Sequence, residues 1–153
     1  MDYVLISQRR ENVIVRNAKI TSDYGARRVL PDGNANIHDG IDFVSKINDK
    51  TVYSVTDGYV VYDFDDYCHI KRYEKPNTGG NMIIVTFVYN NITYHIRYLH
   101  LIGNYVAKGQ AIKEGQVIGK YGDVGYSFGA HVHIDVYDSN WSKKINPHSI
   151  LLI

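Results

Sequence analysis

Three short phrases hold the residues best able to do chemistry: His38-Asp39-Gly40-Ile41-Asp42, Tyr98-Leu99-His100-Leu101 and Gly129-Ala130-His131-Val132-His133. Imidazole and carboxylate are the donors that hold a divalent ion, and imidazole titrates near neutral pH, so it also serves as acid or base. Taken singly, each phrase is weak. With 7 His and 13 Asp in the chain, an Asp four places after a His is no more than the composition yields by chance. Two histidines one residue apart are not much rarer.

On a strand, alternate side chains share a face, so His131 and His133 would project the same way with Cα atoms roughly 6–7 Å apart. One imidazole can then bind a metal while the other stands one step off it. The plain alternative is a pair of surface or half-buried histidines. His38 and Asp42 lie among Gly33, Asn34, Asn36 and Gly40, a loop leading into a strand at Ile41-Asp42-Phe43-Val44. There the plain alternative is an ordinary polar turn.

Together the phrases complement one another. Two His and one carboxylate make a tetrahedral zinc site with its fourth position open to water, the catalytic rather than the structural arrangement. Water on such an ion loses its proton near neutral pH and attacks a carbonyl that the same ion polarises. A base must take that proton. No HExxH motif is present and Glu11, Glu74 and Glu114 lie beside none of the histidine phrases, which leaves the spare histidines for the task. A cupin fits only at its opening, where Gly125 precedes His131-Val132-His133. The position of its glutamate ligand holds Tyr137-Asp138, and His148 lacks the second motif around it.

The elements that must position these residues read as strands. Short alternating or β-branched runs, Asn12 to Ile20, Thr51 to Ser54, Gly58 to Tyr62, Met82 to Tyr89, Ile92 to Leu99 and His131 to Tyr137, are punctuated by Gly, Asn and Asp. Asn90-Asn91 marks a hairpin tip, because Asn tolerates the left-handed conformation of such turns. No stretch keeps a helical period with caps, so an all-β, predominantly antiparallel fold with little helix is expected. Asp63 to Gly80 reads as a long loop or an extra hairpin. Gly109-Gln110 recurs as Gly115-Gln116, two turns around a short strand; a biotinyl or lipoyl carrier would show a lysine at such a turn, and none stands out.

Length and charge bound the rest. The 153 residues suit a single domain spanning 1–153, and 17 Lys+Arg against 16 Asp+Glu leave a net charge of +1. Adjacent basic residues run no further than pairs, so a nucleic-acid partner is not expected. Apolar runs fall far short of the ~20 residues of a membrane helix. A lone Cys68 excludes an internal disulfide and a four-cysteine zinc site. Met1-Asp2-Tyr3 carries no basic or apolar leader pattern, so a signal peptide is not expected in the chain as given, and export would need another route or an upstream segment.

His38-x-x-x-Asp42, Tyr98-Leu99-His100-Leu101 and His131-x-His133, in that order, resemble the M23 family of zinc metallopeptidases, the lysostaphin and LytM type. The surrounding phrases agree: Ile20 to Arg27, His38 to Phe43, Val55 to Val60, Gly80 to Ile84, Val106 to Gly119 and Gly125 to His133 each resemble a family segment, over roughly Ile20 to Tyr137. The resemblance implies an antiparallel β fold with a substrate groove and endopeptidase action on bacterial peptidoglycan. It implies Zn2+ held by His38, Asp42 and His133, with His100 and His131 as paired catalytic histidines that orient or deprotonate the water and stabilise the oxyanion. Where the family often has Ser-Thr-Gly-Pro-His, this chain has Ser127-Phe128-Gly129-Ala130-His131, which sets Phe128 in a groove wall. Where the family often has Phe-Glu, it has Ile134-Asp135, and Asp135 shares the strand face of His133, where it could accept a hydrogen bond.

Other polar residues are read more plainly. His95 and Arg97 are expected to face solvent, His69 to sit in a loop and His148 in a terminal turn, and Tyr24 and Tyr126 to be core or groove-wall residues rather than oxyanion donors. The leading function is a zinc endopeptidase cutting peptidoglycan cross-links: a phage lysin, a virion-associated wall-piercing enzyme, or the catalytic domain of a longer chain, acting on the cell wall as a monomer. The alternative is an inactive M23-like zinc-binding module that regulates or targets other wall hydrolases. The cleaved bond, whether glycyl-glycine or D-alanyl to a diamino acid, is not legible.

Overall fold

The computed structural model describes residues 13–64 and 79–153. Runs rich in Val, Ile, Tyr and Thr form twelve strands among them: β1 (Ala18–Ser22), β2 (Arg27–Val29), β3 (Ala35–Ile37), β4 (Ile41–Ser45), β5 (Thr51–Tyr53), β6 (Gly58–Phe64), β7 (Asn81–Tyr89), β8 (Ile92–Asn104), β9 (Ala111–Ile112), β10 (Val117–Tyr121), β11 (Val132–Asp138) and β12 (Lys144–Ile145). One 3-10 turn, Pro147–Ser149, closes the described chain and contains His148, as read from the sequence. Ten strands make one antiparallel sheet in the order β1-β4-β11-β8-β7-β6-β9, with β10 joining β8 to β5 and β12 lying on β11. The pair β2–β3 stands apart as a small hairpin.

The turns follow from residue type. Asn90 (φ 50°) and Asn91 (φ 63°) both take the left-handed conformation between the paired Tyr89 and Ile92, as a two-residue hairpin requires. In the duplicated phrase, the Gln110 side chain accepts from the Ala107 N–H at 3.3 Å and the Gln116 side chain from the Lys113 N–H at 3.0 Å. The repeat thus builds the same turn on each side of β9.

Some expectations shift. The strand expected from Asn12 begins only at Ala18: Asn17 turns the chain at φ 50°, and Ile14 and Val15 drop into the core instead of continuing a ladder. The β2–β3 hairpin was not anticipated, since three-residue strands around Pro31-Asp32-Gly33-Asn34 carry too few positions to show a period. Of the segment expected as a loop or hairpin over Asp63 to Gly80, residues 65–78, with Cys68 and His69, lie outside the described residues.

Period-two alternation sorts the central strands into two faces. Ile41 and Phe43, Val132, Ile134 and Val136, Ile96 and Tyr98, and Ile83, Val85 and Phe87 turn inward and are buried. Tyr98 is fully buried and its hydroxyl accepts the Val55 backbone N–H at 3.1 Å, which satisfies both groups. The opposite face of β4, β11 and β8 carries Asp42, His133, Asp135, Arg97 and Leu99, in register as Asp42↔His133↔Leu99 and Asp135↔Arg97.

Candidate metal centre

Each histidine reaches this face by a different local device. His133 arrives by simple alternation on β11, opposite Asp42 on β4. His131 forms an isolated bridge to Gly122 just before β11 starts at Val132, one residue later than the sequence pattern placed it. His38 sits between β3 and β4, with its N–H donated to the Ala26 carbonyl at 2.9 Å. The chain then passes directly under the His133 ring: a Cβ on Gly40 would lie 2.4 Å from His133 Cε1 and 2.3 Å from the Ile134 carbonyl oxygen. Only glycine lets β4 approach β11 that closely.

His100 requires a break in the strand. Strict alternation would send it inward with Tyr98, but its φ is 67°, and the β7–β8 register slips between Asn81 and Ile83. This irregularity turns the ring into the site, 4.8 Å from the His131 ring and 6.2 Å from the His133 ring, centroid to centroid. A left-handed non-glycine residue at a bulge is the kind of local strain that re-aims a side chain at a functional site.

Three ligand atoms converge. His38 Nε2 and His133 Nδ1 are 3.2 Å apart, His133 Nδ1 and Asp42 Oδ1 2.9 Å, and His38 Nε2 and Asp42 Oδ1 3.5 Å. A tetrahedral ion with bonds of about 2.0–2.1 Å places its ligand atoms roughly 3.3 Å from one another, so this triangle is close to one face of such a site. Asp42 Oδ1 also stands 3.6 Å from His131 Nε2. The residues present therefore fit a zinc ion.

The far nitrogen of each ring explains which atom faces inward. His133 Nε2 lies 2.9 Å from Asp135 Oδ2, His100 Nδ1 2.8 Å from the Val124 carbonyl oxygen, and His131 Nδ1 2.8 Å from the Gly129 carbonyl oxygen. These acceptors bear no hydrogen, so the facing ring nitrogens donate; the opposite nitrogens of His100 and His131 present lone pairs to the centre, and that of His133, which faces Asp42 Oδ1, would do so when a metal ion takes the place of its proton. His38 Nδ1 is 2.9 Å from Ser22 Oγ, which also accepts from Arg28 Nη1 at 3.3 Å.

Charge is arranged to welcome a cation. Burial pushes Asp42 up, but the His133 hydrogen bond and the neighbouring imidazoles outweigh it and hold the carboxyl well below the usual range. Burial disfavours a charged His133, yet its hydrogen bonds to Asp135 and Asp42 prevail and raise it to about 9. Two carboxylates thus ask for positive charge at this ring. His100 is the reverse: burial first, then His131 and His133, push it down to about 3, so it is neutral at pH 7.

All five residues singled out in the sequence, His38, Asp42, His100, His131 and His133, meet here. His95 and His148 do not: His95 contacts Thr86 Oγ1 and the Ser139 carbonyl and stacks on Trp141, and His148 contacts Asp23. Arg97 corrects the solvent-facing expectation, because it donates twice to Asp135, at 2.6 and 2.7 Å. Asp135 accepts from His133 as the strand face suggested. The Tyr126 hydroxyl bonds to Asp32 and Asn34, and its ring, with Phe128, lines the groove. Tyr24 packs against the core. Sequence reasoning missed Arg28, whose Nη1 lies 3.2 Å from Asp42 Oδ2, and Lys144, 3.3 Å from Asp135. No motif marks either one; only the hairpin and β12 bring them in.

Comparison with known proteins places this geometry. The model of peptidase family M23 matches residues 36–147, most of the chain. The chain belongs to peptidase family M23. The resemblance that its motifs carried thus holds as family membership. The chain is 34% identical over 123 residues to the peptidoglycan DD-endopeptidase ShyB of Vibrio cholerae, covering 80% of this chain and 26% of that protein. To ShyA of the same organism it is 32% identical over 119 residues, covering 77% and 24%. The chain thus spans about a quarter of the length of these curated relatives. Among solved structures, a zinc-containing peptidase from Vibrio cholerae superposes with a TM-score of 0.62 at 32% identity, over 84% of this chain and 35% of that one. The catalytic domain of lysostaphin from Staphylococcus simulans superposes with a TM-score of 0.66 at 27% identity, over 87% and 91%.

Proposed function

We propose that this M23 domain is a zinc endopeptidase that hydrolyses peptide cross-links of bacterial peptidoglycan at the cell wall, with His38, Asp42 and His133 as the metal ligands. The observation that carries this reading is the triangle of His38 Nε2, His133 Nδ1 and Asp42 Oδ1, with two further imidazoles on its open side. The names of the Vibrio cholerae relatives support the substrate class.

Zinc held by these ligands supplies a water of lowered pKa and polarises a carbonyl. His100 and His131 do the proton work. With Nδ1–H committed to Val124, His100 presents a neutral Nε2 that can accept a hydrogen bond and releases a proton as soon as it gains one. His131, held by Gly129 on its Nδ1 side, presents Nε2 to the same space and can pass a proton to the leaving amine. Either ring, once protonated, donates to oxyanion charge that develops on the substrate. Arg28 binds Asp42 Oδ2, which leaves Oδ1 to the centre. A cavity of about 330 Å³, lined in part by Leu30, Pro31, Tyr126 and Phe128, receives the peptide beside these groups.

The test is digestion of purified sacculi with different cross-link types by the zinc-loaded protein, with fragments weighed by mass spectrometry. Wild type should release new amino groups, and His131→Ala should keep stoichiometric zinc and release none. No release by wild type from any wall chemistry would overturn the endopeptidase reading in favour of a non-catalytic zinc-binding module.

A further inference from the structure

The centre lies between two cavities. Arg28, His100, Tyr126 and His133 line both, but beyond them the walls differ. One arm is the cavity with Leu30, Pro31 and Phe128; the other, of about 460 Å³, is walled by Arg97, Lys144, Asp135 and Asp39. Asp135 is fully buried and receives Arg97 at 2.6 Å, His133 Nε2 at 2.9 Å and Lys144 Nζ at 3.3 Å, so one carboxylate faces two permanent cations. The second partner of Lys144 is Asp39 at 3.0 Å, whose side chain is 57% exposed. An ion pair whose carboxylate is open to water is readily exchanged for another anion. The Lys144 side chain itself is only 20% exposed, fixed over the Tyr137 ring at 5.4 Å, so its ammonium is held in place rather than free in water.

We infer that the Lys144–Arg97 arm of the groove is a carboxylate subsite, and that the preferred substrate carries a free carboxylate next to its scissile amide. This rests on the endopeptidase reading and deepens it. Asp135 Oδ2 links His133 Nε2 to Lys144 through contacts of 2.9 and 3.3 Å, and the width of the imidazole separates Nε2 from the centre, so the ammonium stands within about three residues of the reacting bond at roughly 3.3–3.6 Å of chain per residue. The residue on the acyl side has spent its α-carboxyl in the scissile amide. The nearest free carboxylate therefore belongs to the residue that supplied the amine, a diamino acid joined through its side chain. Such a carboxylate takes the place of Asp39 on Lys144 and meets the Arg97 edge. An uncharged oligoglycine bridge offers nothing to this arm.

The experiment uses two synthetic cross-link peptides, identical except that the amine-side diamino residue carries a free α-carboxylate in one and a carboxamide in the other. Zinc-loaded wild type should favour the carboxylate peptide by 10-fold or more in kcat/KM. Lys144→Gln should bring the two peptides to within about 2-fold of each other, and Lys144→Arg should restore the preference. Equal treatment of both peptides by wild type, or an unchanged ratio in Lys144→Gln, overturns the subsite. Calorimetric binding of the same pair to the zinc-loaded protein reads the subsite without turnover: a binding preference without hydrolysis sinks the endopeptidase reading and upholds the subsite, whereas hydrolysis of both without preference does the opposite.

Discussion

His133 stands directly across the β4–β11 ladder from Asp42, and its Nδ1 lies 2.9 Å from Asp42 Oδ1. Backbone register alone sets this pair, because paired residues on adjacent antiparallel strands share a face with side chains in contact. The half of the centre that depends on the sheet is thus rigid, and only His38 must be delivered by a loop. The other groups either hold these side chains in place or stand beside them.

Gly40 is the point at which delivery of His38 is most easily broken. Gly40→Ala forces a Cβ against the Ile134 carbonyl and the His133 ring, both under 2.5 Å away, so β4 must shift. A loss of about 1–3 kcal/mol is expected, as for overpacking elsewhere. Zinc should fall below one equivalent at the same time, measured by denaturant unfolding and metal analysis; an unaltered variant would mean that the strands can part without cost.

Removing the carboxylate beneath His133 acts on two groups at once. Asp135→Ala strips the ring of its acceptor and leaves Arg97 half-buried without its two-pronged partner. A 10–100-fold weaker zinc affinity is expected from the lost orienting hydrogen bond. Breaking the buried pair should also cost about 3–5 kcal/mol of stability. Competition with a chromogenic chelator and urea denaturation check the two effects separately.

The left-handed backbone at position 100 separates geometry from chemistry. Left-handed φ costs a non-glycine residue about 1–2 kcal/mol, so His100→Gly should be more stable than His100→Ala by about that amount. Both should lose cleavage by roughly 10²–10⁴-fold, the usual value of a positioned acid or base. Equal stabilities would show that the φ of 67° is not strained.

Tyr98 makes a pH prediction of definite sign. Burial raises its hydroxyl from 10.0 to about 12, only partly offset by the Val55 N–H. The unfolded chain loses this proton first, so its contribution to stability is intact below pH 10 and declines as pH rises from about 10 toward 12. In Tyr98→Phe that part of the slope should vanish, while loss of the hydrogen bond from the Val55 N–H costs about 0.5–1.5 kcal/mol at neutral pH. Urea midpoints for both proteins between pH 8 and 12 decide it.

Metal removal should read out as stability. Zinc at 100 times its dissociation constant adds about 2.7 kcal/mol to a fold whose unfolded chain does not bind it. Chelation should lower the melting temperature and re-addition of zinc should restore it, whereas His133→Ala should melt identically with and without chelator.

Much of this was legible in the chain itself. Strand-forming runs cut by Asn-Asn and Gly-Gln turns dictate an antiparallel all-β fold because alternation and turn chemistry are local properties. The ordered phrases around His38, His100 and His131 identify the family because each contains its own chemistry and spacing. Arg28, Arg97 and Lys144 were not legible. Their roles come from contacts with Asp42 and Asp135, 14, 38 and 9 residues away along the chain, and no local pattern announces them.

The sequence by itself determined which side chains could bind and move protons, and that His131 and His133 would share a strand face, since a period of two is built into an extended backbone. Tertiary structure alone decided that His100 turns toward the centre rather than following Tyr98 inward, because its left-handed φ and the register slip of β8 arise from pairing with β7 and β10. It alone also decided that Lys144 stands beside Asp135 and Asp39, since this needs the β11–β12 register and the approach of a residue 105 positions away.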